Sequence, residues 1–149
     1  PFGMRAMMSL RLDRFFGSWL SEFSPDYSAA ETGMDRFISF KKNTDFIGRA
    51  AAEAERANPP ARMSVVFEVD ADDADVVAYE PVFINGEVRG FCTSGGFSHH
   101  AGKSIALALI PRGEATNNLE VEIEIMGQRH RAKRIMTPLF DPEGVAMRG

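Results

Sequence analysis

The chain has a single cysteine, Cys92, in 149 residues. A lone cysteine excludes an intramolecular disulfide and fits a reducing, cytoplasmic setting. No run of about 18 apolar residues occurs, so no transmembrane helix and no membrane partner are expected. Positive charge is not in excess either. The formal net charge is -4, which implies no general attraction to nucleic acid or anionic lipid. The N-terminus lacks the pattern of a signal peptide. The three histidines and Cys92 fall at no metal-ligand spacing, so no metal site is expected. Low-complexity tracts and internal repeats are missing.

What is present divides into two halves of different period. Hydrophobic residues make up 44% of the chain, enough to build a core. From Met4, apolar residues recur at Met7, Met8, Leu12, Phe15, Phe16 and Trp19, the spacing of one buried helix face. Gly17 weakens the last turn, and Ser24-Pro25 marks an irregular segment. Asp45 is a good N-cap for a second helix that runs through the alanines of 50–57 and stops before Pro59-Pro60.

After Pro60 the period becomes two. Met63, Val65, Phe67 and Val69 alternate with more polar neighbours. Pro81 to Ile84 and Glu87 to Cys92 flank Asn85-Gly86, the strongest short hairpin signal, because a type I′ turn needs positive φ twice. Ser104 to Ile110 reads as a short strand. Leu119, Val121, Ile123 and Ile125 alternate with glutamates, and Gly127-Gln128 turns the chain into Arg129 to Met136. About six strands with close turn signals predict a small barrel or sandwich.

The stretch Gly95-Gly96-Phe97-Ser98-His99-His100-Ala101-Gly102-Lys103-Ser104 resembles a phosphate loop, but G-x-x-x-x-G-K-[ST] requires glycine where Phe97 stands. The residues after Lys103 are also too few before Pro111 for the helix whose amides hold phosphates. A tight turn between barrel strands is the expectation. Arg129, Arg131 and Lys133 alternate on one strand and are expected to face Glu120, Glu122 and Glu124 on a neighbour rather than RNA. The acidic loop from Asp70 to Asp75 lacks calcium-loop spacing and reads as solvated. Cys92 and the Met4, Met7, Met8 cluster read as core.

Four segments in order resemble one family. They are Ser9-Leu10-Arg11-Leu12-Asp13, Asp45-Phe46-Ile47-Gly48-Arg49, Thr93-Ser94-Gly95-Gly96, and Gly102-Lys103-Ser104-Ile105-Ala106-Leu107-Ala108. Together they resemble the C-terminal half of the aminomethyltransferase family, the glycine cleavage T-protein. Phe16-Gly17-Ser18-Trp19, Phe23-Ser24-Pro25-Asp26-Tyr27 and Asp141-Pro142-Glu143-Gly144 look most like the folate-binding C-terminal region of dimethylglycine and sarcosine dehydrogenases. The Lys-Gly-Cys-Tyr motif of the family's iron–sulfur assembly relatives is missing.

The resemblance implies an α+β fold: N-terminal helices over 1–60, the end of a folate-binding domain, then a six-stranded antiparallel β-barrel domain over 61–149. It implies tetrahydrofolate as cofactor, a methylated amine as the second small molecule, and the rest of a parent chain as partner. The chain begins Pro-Phe-Gly rather than Met, so a fragment without turnover of its own is expected. The family's catalytic aspartate lies in its N-terminal half, and no catalytic residue is assigned here. FAD belongs to the same missing part, since G-x-G-x-x-G is absent. The family's Arg-Leu-Glu motif grips the pterin with its carboxylate, and Asp13 matches that position one methylene shorter. A carboxylate accepts two parallel hydrogen bonds from a pterin ring N–H and its exocyclic amine. The plain alternative pairs Asp13 with Arg11 or Arg14 on a helix surface. Phe16, one helical turn from Asp13, is the candidate wall for the ring, and Trp19 is expected in the core. A stand-alone aminomethyltransferase, a demethylase of another methylated osmolyte and a ligand-free interaction barrel are the competing readings.

Overall fold

A computed structural model describes every residue, Pro1–Gly149. Helices precede a barrel. The N-terminal part contains α1 (Met4–Asp13), α2 (Ala29–Thr32), a 3-10 turn at Met34–Phe37 and α3 (Arg49–Ala57). Six strands follow: β1 (Arg62–Val69), β2 (Pro81–Ile84), β3 (Glu87–Ser98), β4 (Lys103–Pro111), β5 (Glu120–Ile125) and β6 (Gln128–Ile135). They close in the order β1-β4-β3-β2-β5-β6, every pair antiparallel. A short helix, α4 (Val145–Arg148), ends the chain.

The period-two pattern builds the barrel core. Val65, Phe67 and Val69 of β1 point inward with Val121, Ile123 and Ile125 of β5. Asn85 and Gly86 adopt φ of 54° and 83°, the conformation that a type I′ turn demands. The predicted charge ladder also forms. Glu120, Glu122 and Glu124 stand opposite Lys133, Arg131 and Arg129 across β5 and β6.

β4 is buried on both faces, which accounts for its nearly unbroken apolar run. Ala106, Ala108 and Ile110 face the interior. Ile105 and Leu107 face outward and pack under Leu12 of α1, with Val66 and Leu139 beside them. This second cluster fastens α1 to the outside of the barrel. The Ser9 hydroxyl adds a hydrogen bond to the Phe97 carbonyl at 2.5 Å.

Several sequence expectations need correction. α1 stops at Asp13 instead of reaching Trp19, because Phe15 adopts a left-handed φ of 59° and reverses the chain. Trp19 is 78% exposed rather than core, and Met4 and Met7 are exposed too. α3 begins at Arg49 with Gly48 as N-cap. Asp45 accepts a hydrogen bond from the Phe46 N–H and caps no helix. Gly95 to Ser98 belong to β3, so only the four residues after them form the turn. The β5–β6 turn is centred on Met126 and Gly127, φ 49° and 82°, one residue earlier than read.

Candidate functional site at the end of helix α1

The last turn of α1 carries three charged residues, and each finds a different environment. Arg11 turns toward Glu22, which lies in the loop that follows the helix. Their nearest charged atoms are 3.7 Å apart. Arg11 also donates to the Phe16 carbonyl at 2.9 Å, and Glu22 accepts from the Ser18 N–H at 2.7 Å. Burial pushes the Arg11 guanidinium below its ordinary pKa, against the opposing pull of the Glu22 carboxylate. Gly17 lets this loop close, since a Cβ there would lie 2.6 Å from the Phe23 ring and 2.8 Å from the Glu22 Cβ.

Arg14 turns the other way, toward the C-terminal tail. It donates to the Phe140 carbonyl at 3.0 Å and lies 3.8 Å from the Asp141 carboxylate. The tail returns the contact, because the Phe140 N–H donates to the Asp13 carbonyl at 3.2 Å.

Asp13 itself pairs with neither arginine. It is only 4% exposed, and its Oδ1 is buried with no hydrogen-bond partner. Asp13 is buried rather than on the helix surface, and Arg11 faces Glu22 while Arg14 faces Asp141, although Arg11 Nη2 and Arg14 Nε are likewise buried without a partner. A buried carboxylate oxygen left unpaired costs about 1–3 kcal/mol or more.

Phe16 does not share a helix with Asp13. It sits beyond the reversal at Phe15, 38% exposed, with the Arg14 guanidinium 5.7 Å from its ring centre. Two large cavities, about 930 and 830 Å³, lie at the barrel end and between α1 and the loop over 71–77. Neither is lined by Asp13 or Phe16.

The remaining candidates have plain structural roles. His99 packs edge-on against Phe97 and His100 against Phe140. Lys103 is taken by Glu68 at 2.8 Å. Cys92 is fully buried in the barrel core, and desolvation, with a smaller push from the Glu80 carboxylate, raises its thiol to about 12.

Sequence reasoning missed Glu22, Asp141 and Glu31. Glu31 had a legible signal, since Ser28 and Glu31 stand at capping-box spacing. They form that box on α2, and Glu31 also pairs with Arg62 of β1 at 2.9 Å. Glu22 acts on Ser18 and Arg11 across an irregular loop with no periodic pattern, and Asp141 reaches Arg14 across almost the whole chain.

Residues 62–141 match the model of the glycine cleavage T-protein C-terminal barrel domain. The chain belongs to that family. Human mitochondrial dimethylglycine dehydrogenase is 35% identical over 138 residues, which is 93% of this chain and 16% of that protein. An aminomethyltransferase from Geobacillus sp. (strain WCH70) is 34% identical over 140 residues, 94% of this chain and 38% of that protein. The chain thus spans a minor part of these relatives. The crystal structure of glycine cleavage system aminomethyltransferase T from Bartonella henselae superposes with a TM-score of 0.83 at 21% identity. It covers 92% of this chain and 38% of that one. In this T-protein barrel, the segment around Asp13 lies outside the residues matched by the family model.

Proposed function

We propose that this T-protein barrel, with the helices before it, contributes part of a tetrahydrofolate site in an N-methyl amine dehydrogenase of the dimethylglycine or sarcosine type. Residues 1–60 are the end of the folate-binding domain and 61–149 the barrel domain of that enzyme. FAD, held elsewhere in the parent, oxidises the amine to an imine, and tetrahydrofolate accepts the one-carbon unit. No helix is long and apolar enough to cross a membrane, and a cytoplasmic setting fits the lone, buried Cys92.

The observation that carries this reading is the unpartnered Oδ1 of Asp13 in a residue only 4% exposed. A pterin edge offers adjacent N–H donors, which is what such a carboxylate lacks. Phe16 is the candidate apolar wall for the ring. Losing a charged hydrogen-bond partner costs about 1.5–3 kcal/mol, or roughly tenfold to a hundredfold in affinity. Asp13→Ala in the full-length protein is therefore expected to weaken tetrahydrofolate binding by that factor and to leave FAD reduction by the amine nearly intact. Asp13→Glu should bind at least as well as wild type. Unchanged folate affinity in Asp13→Ala would return the residue to a structural role.

A further inference from the structure

Asp13 is the last residue of α1, and the chain leaves helical geometry two residues later at Phe15. The last carbonyls of a helix have no partner within it, so nothing inside α1 holds the Asp13 carbonyl. The C-terminal tail does this instead. Leu139 packs on the Leu12, Ile105 and Leu107 cluster. Phe140 sets its ring edge-on to His100, centres 4.8 Å apart. Its N–H holds the Asp13 carbonyl, and its own carbonyl is held by Arg14.

Asp141 fixes this strap at its far end. Its carboxylate accepts from the Ala146 and Met147 N–H groups at 3.1 and 3.2 Å while facing Arg14 at 3.8 Å. Desolvation tends to raise its pKa, but those amides and Arg14 outweigh it and hold the group below the ordinary carboxylate range. The backbone at Asp141 is left-handed, φ 46°, a conformation that this set of contacts maintains. The strap is thus secured on three sides, to the barrel, to α1 and to its own following turn.

We propose that Asp141 is a positioning residue for folate binding. Through Arg14 and the Phe140 backbone, it holds the end of α1 so that the Asp13 carboxylate meets the pterin edge in one orientation. This rests on the assignment of Asp13 as a folate contact. Asp141 touches no ligand in this scheme and acts only through Asp13.

The test is a double-mutant cycle on the full-length protein. Tetrahydrofolate is titrated into wild type, Asp141→Ala, Asp13→Ala and the double variant. Amide hydrogen exchange is followed at Phe15 and Phe16, whose N–H groups bond to the Leu12 and Arg11 carbonyls. Asp141→Ala should weaken binding about twofold to a hundredfold, the range of couplings between residues in one hydrogen-bond and ion-pair network. The same change should have no further effect once Asp13 is Ala. Exchange at the two amides should quicken. Asp141→Asn, which keeps an acceptor oxygen but loses the charge toward Arg14, should fall between and serves if the alanine variant does not fold.

An equal loss in both Asp13 backgrounds would mark Asp141 as merely structural and overturn the proposal. So would full affinity in Asp141→Ala beside weakened Asp13→Ala. If Asp13→Ala binds normally, the folate assignment falls. Exchange then decides the strap alone, and unchanged amides overturn it too.

Discussion

Substituting Gly95 by alanine should destabilise the barrel by about 2 kcal/mol. In an ordinary strand, that exchange stabilises by about 0.5–1 kcal/mol, because glycine gives up more freedom on folding. At this position a Cβ would stand 2.4 Å from both the Cβ and the carbonyl oxygen of Val76, and 2.7 Å from its carbonyl carbon. Two of those atoms are backbone, so no rotamer change relieves the overlap. Either the loop carrying Val76 retreats or β3 bends. Val76 is 1% exposed and belongs to the barrel core, and driving such a side chain into water costs about 1.5–3 kcal/mol. The independent expectation for overpacking a core, about 1–3 kcal/mol, has the same size. A net loss near 2 kcal/mol should lower Tm by roughly 4–8 °C for a chain of this length. Urea and thermal unfolding followed by circular dichroism would measure it, with Gly113→Ala as control, since a Cβ there meets nothing within 4 Å. Val76→Ala should cost less in the Gly95→Ala background than alone. Wild-type stability in Gly95→Ala, or strict additivity with Val76→Ala, would refute the steric argument.

Burial holds the Cys92 thiol at about 12, against about 8.5 in an unfolded chain. The native state keeps this proton where the unfolded state has lost it, so its contribution is complete below about pH 8.5 and is lost as pH rises toward 12. The urea midpoint should therefore fall between pH 9 and 11, by less in Cys92→Ala, and a thiol reagent at pH 8 should label wild type only as fast as it unfolds. Arg112 donates to the Pro60, Ala30 and Arg62 carbonyls at 2.8, 2.9 and 3.3 Å, joining the helical segment to the barrel. Arg112→Ala should cost about 1.5–3 kcal/mol and speed proteolysis between α2 and β1; Arg112→Lys should not rescue it, because an ammonium lacks the planar fork.

The barrel was legible in the sequence because its information is local. Alternation of Val65, Phe67 and Val69 fixes which face is inward, and Asn85-Gly86 fixes one turn. The helical half was less so. The stripe from Met4 to Trp19 is continuous in sequence, yet Phe15 turns left-handed and leaves Trp19 exposed. Periodicity reports amphipathicity, and it cannot report a chain reversal at Phe15 followed by a loop whose closure needs the missing side chain of Gly17. Gly95 and Gly96 suggested turn flexibility. In Gly95 the missing side chain serves close approach of another segment instead. Asp13 was singled out by resemblance, but its carbonyl is held by Phe140, more than 120 residues away, and the contacts that the Asp141-Pro142-Glu143-Gly144 motif makes with α1 could not be read from the motif itself.

Closure of the barrel sets a schedule for synthesis. β1 finds one partner in β4, but its other edge waits for β6, where Val69 meets Ala132 sixty-three residues later. At about 5–20 residues per second, that edge stays open for roughly 3–13 s on the ribosome. Through this interval β1, with its apolar Val65, Phe67 and Val69, presents an unpaired edge, a template for wrong pairing with a neighbouring nascent chain. The finished molecule has no such edge. Slower decoding between the codons for β4 and β6 should lengthen the exposure and lower the yield of folded protein, while the molecules that do close remain identical.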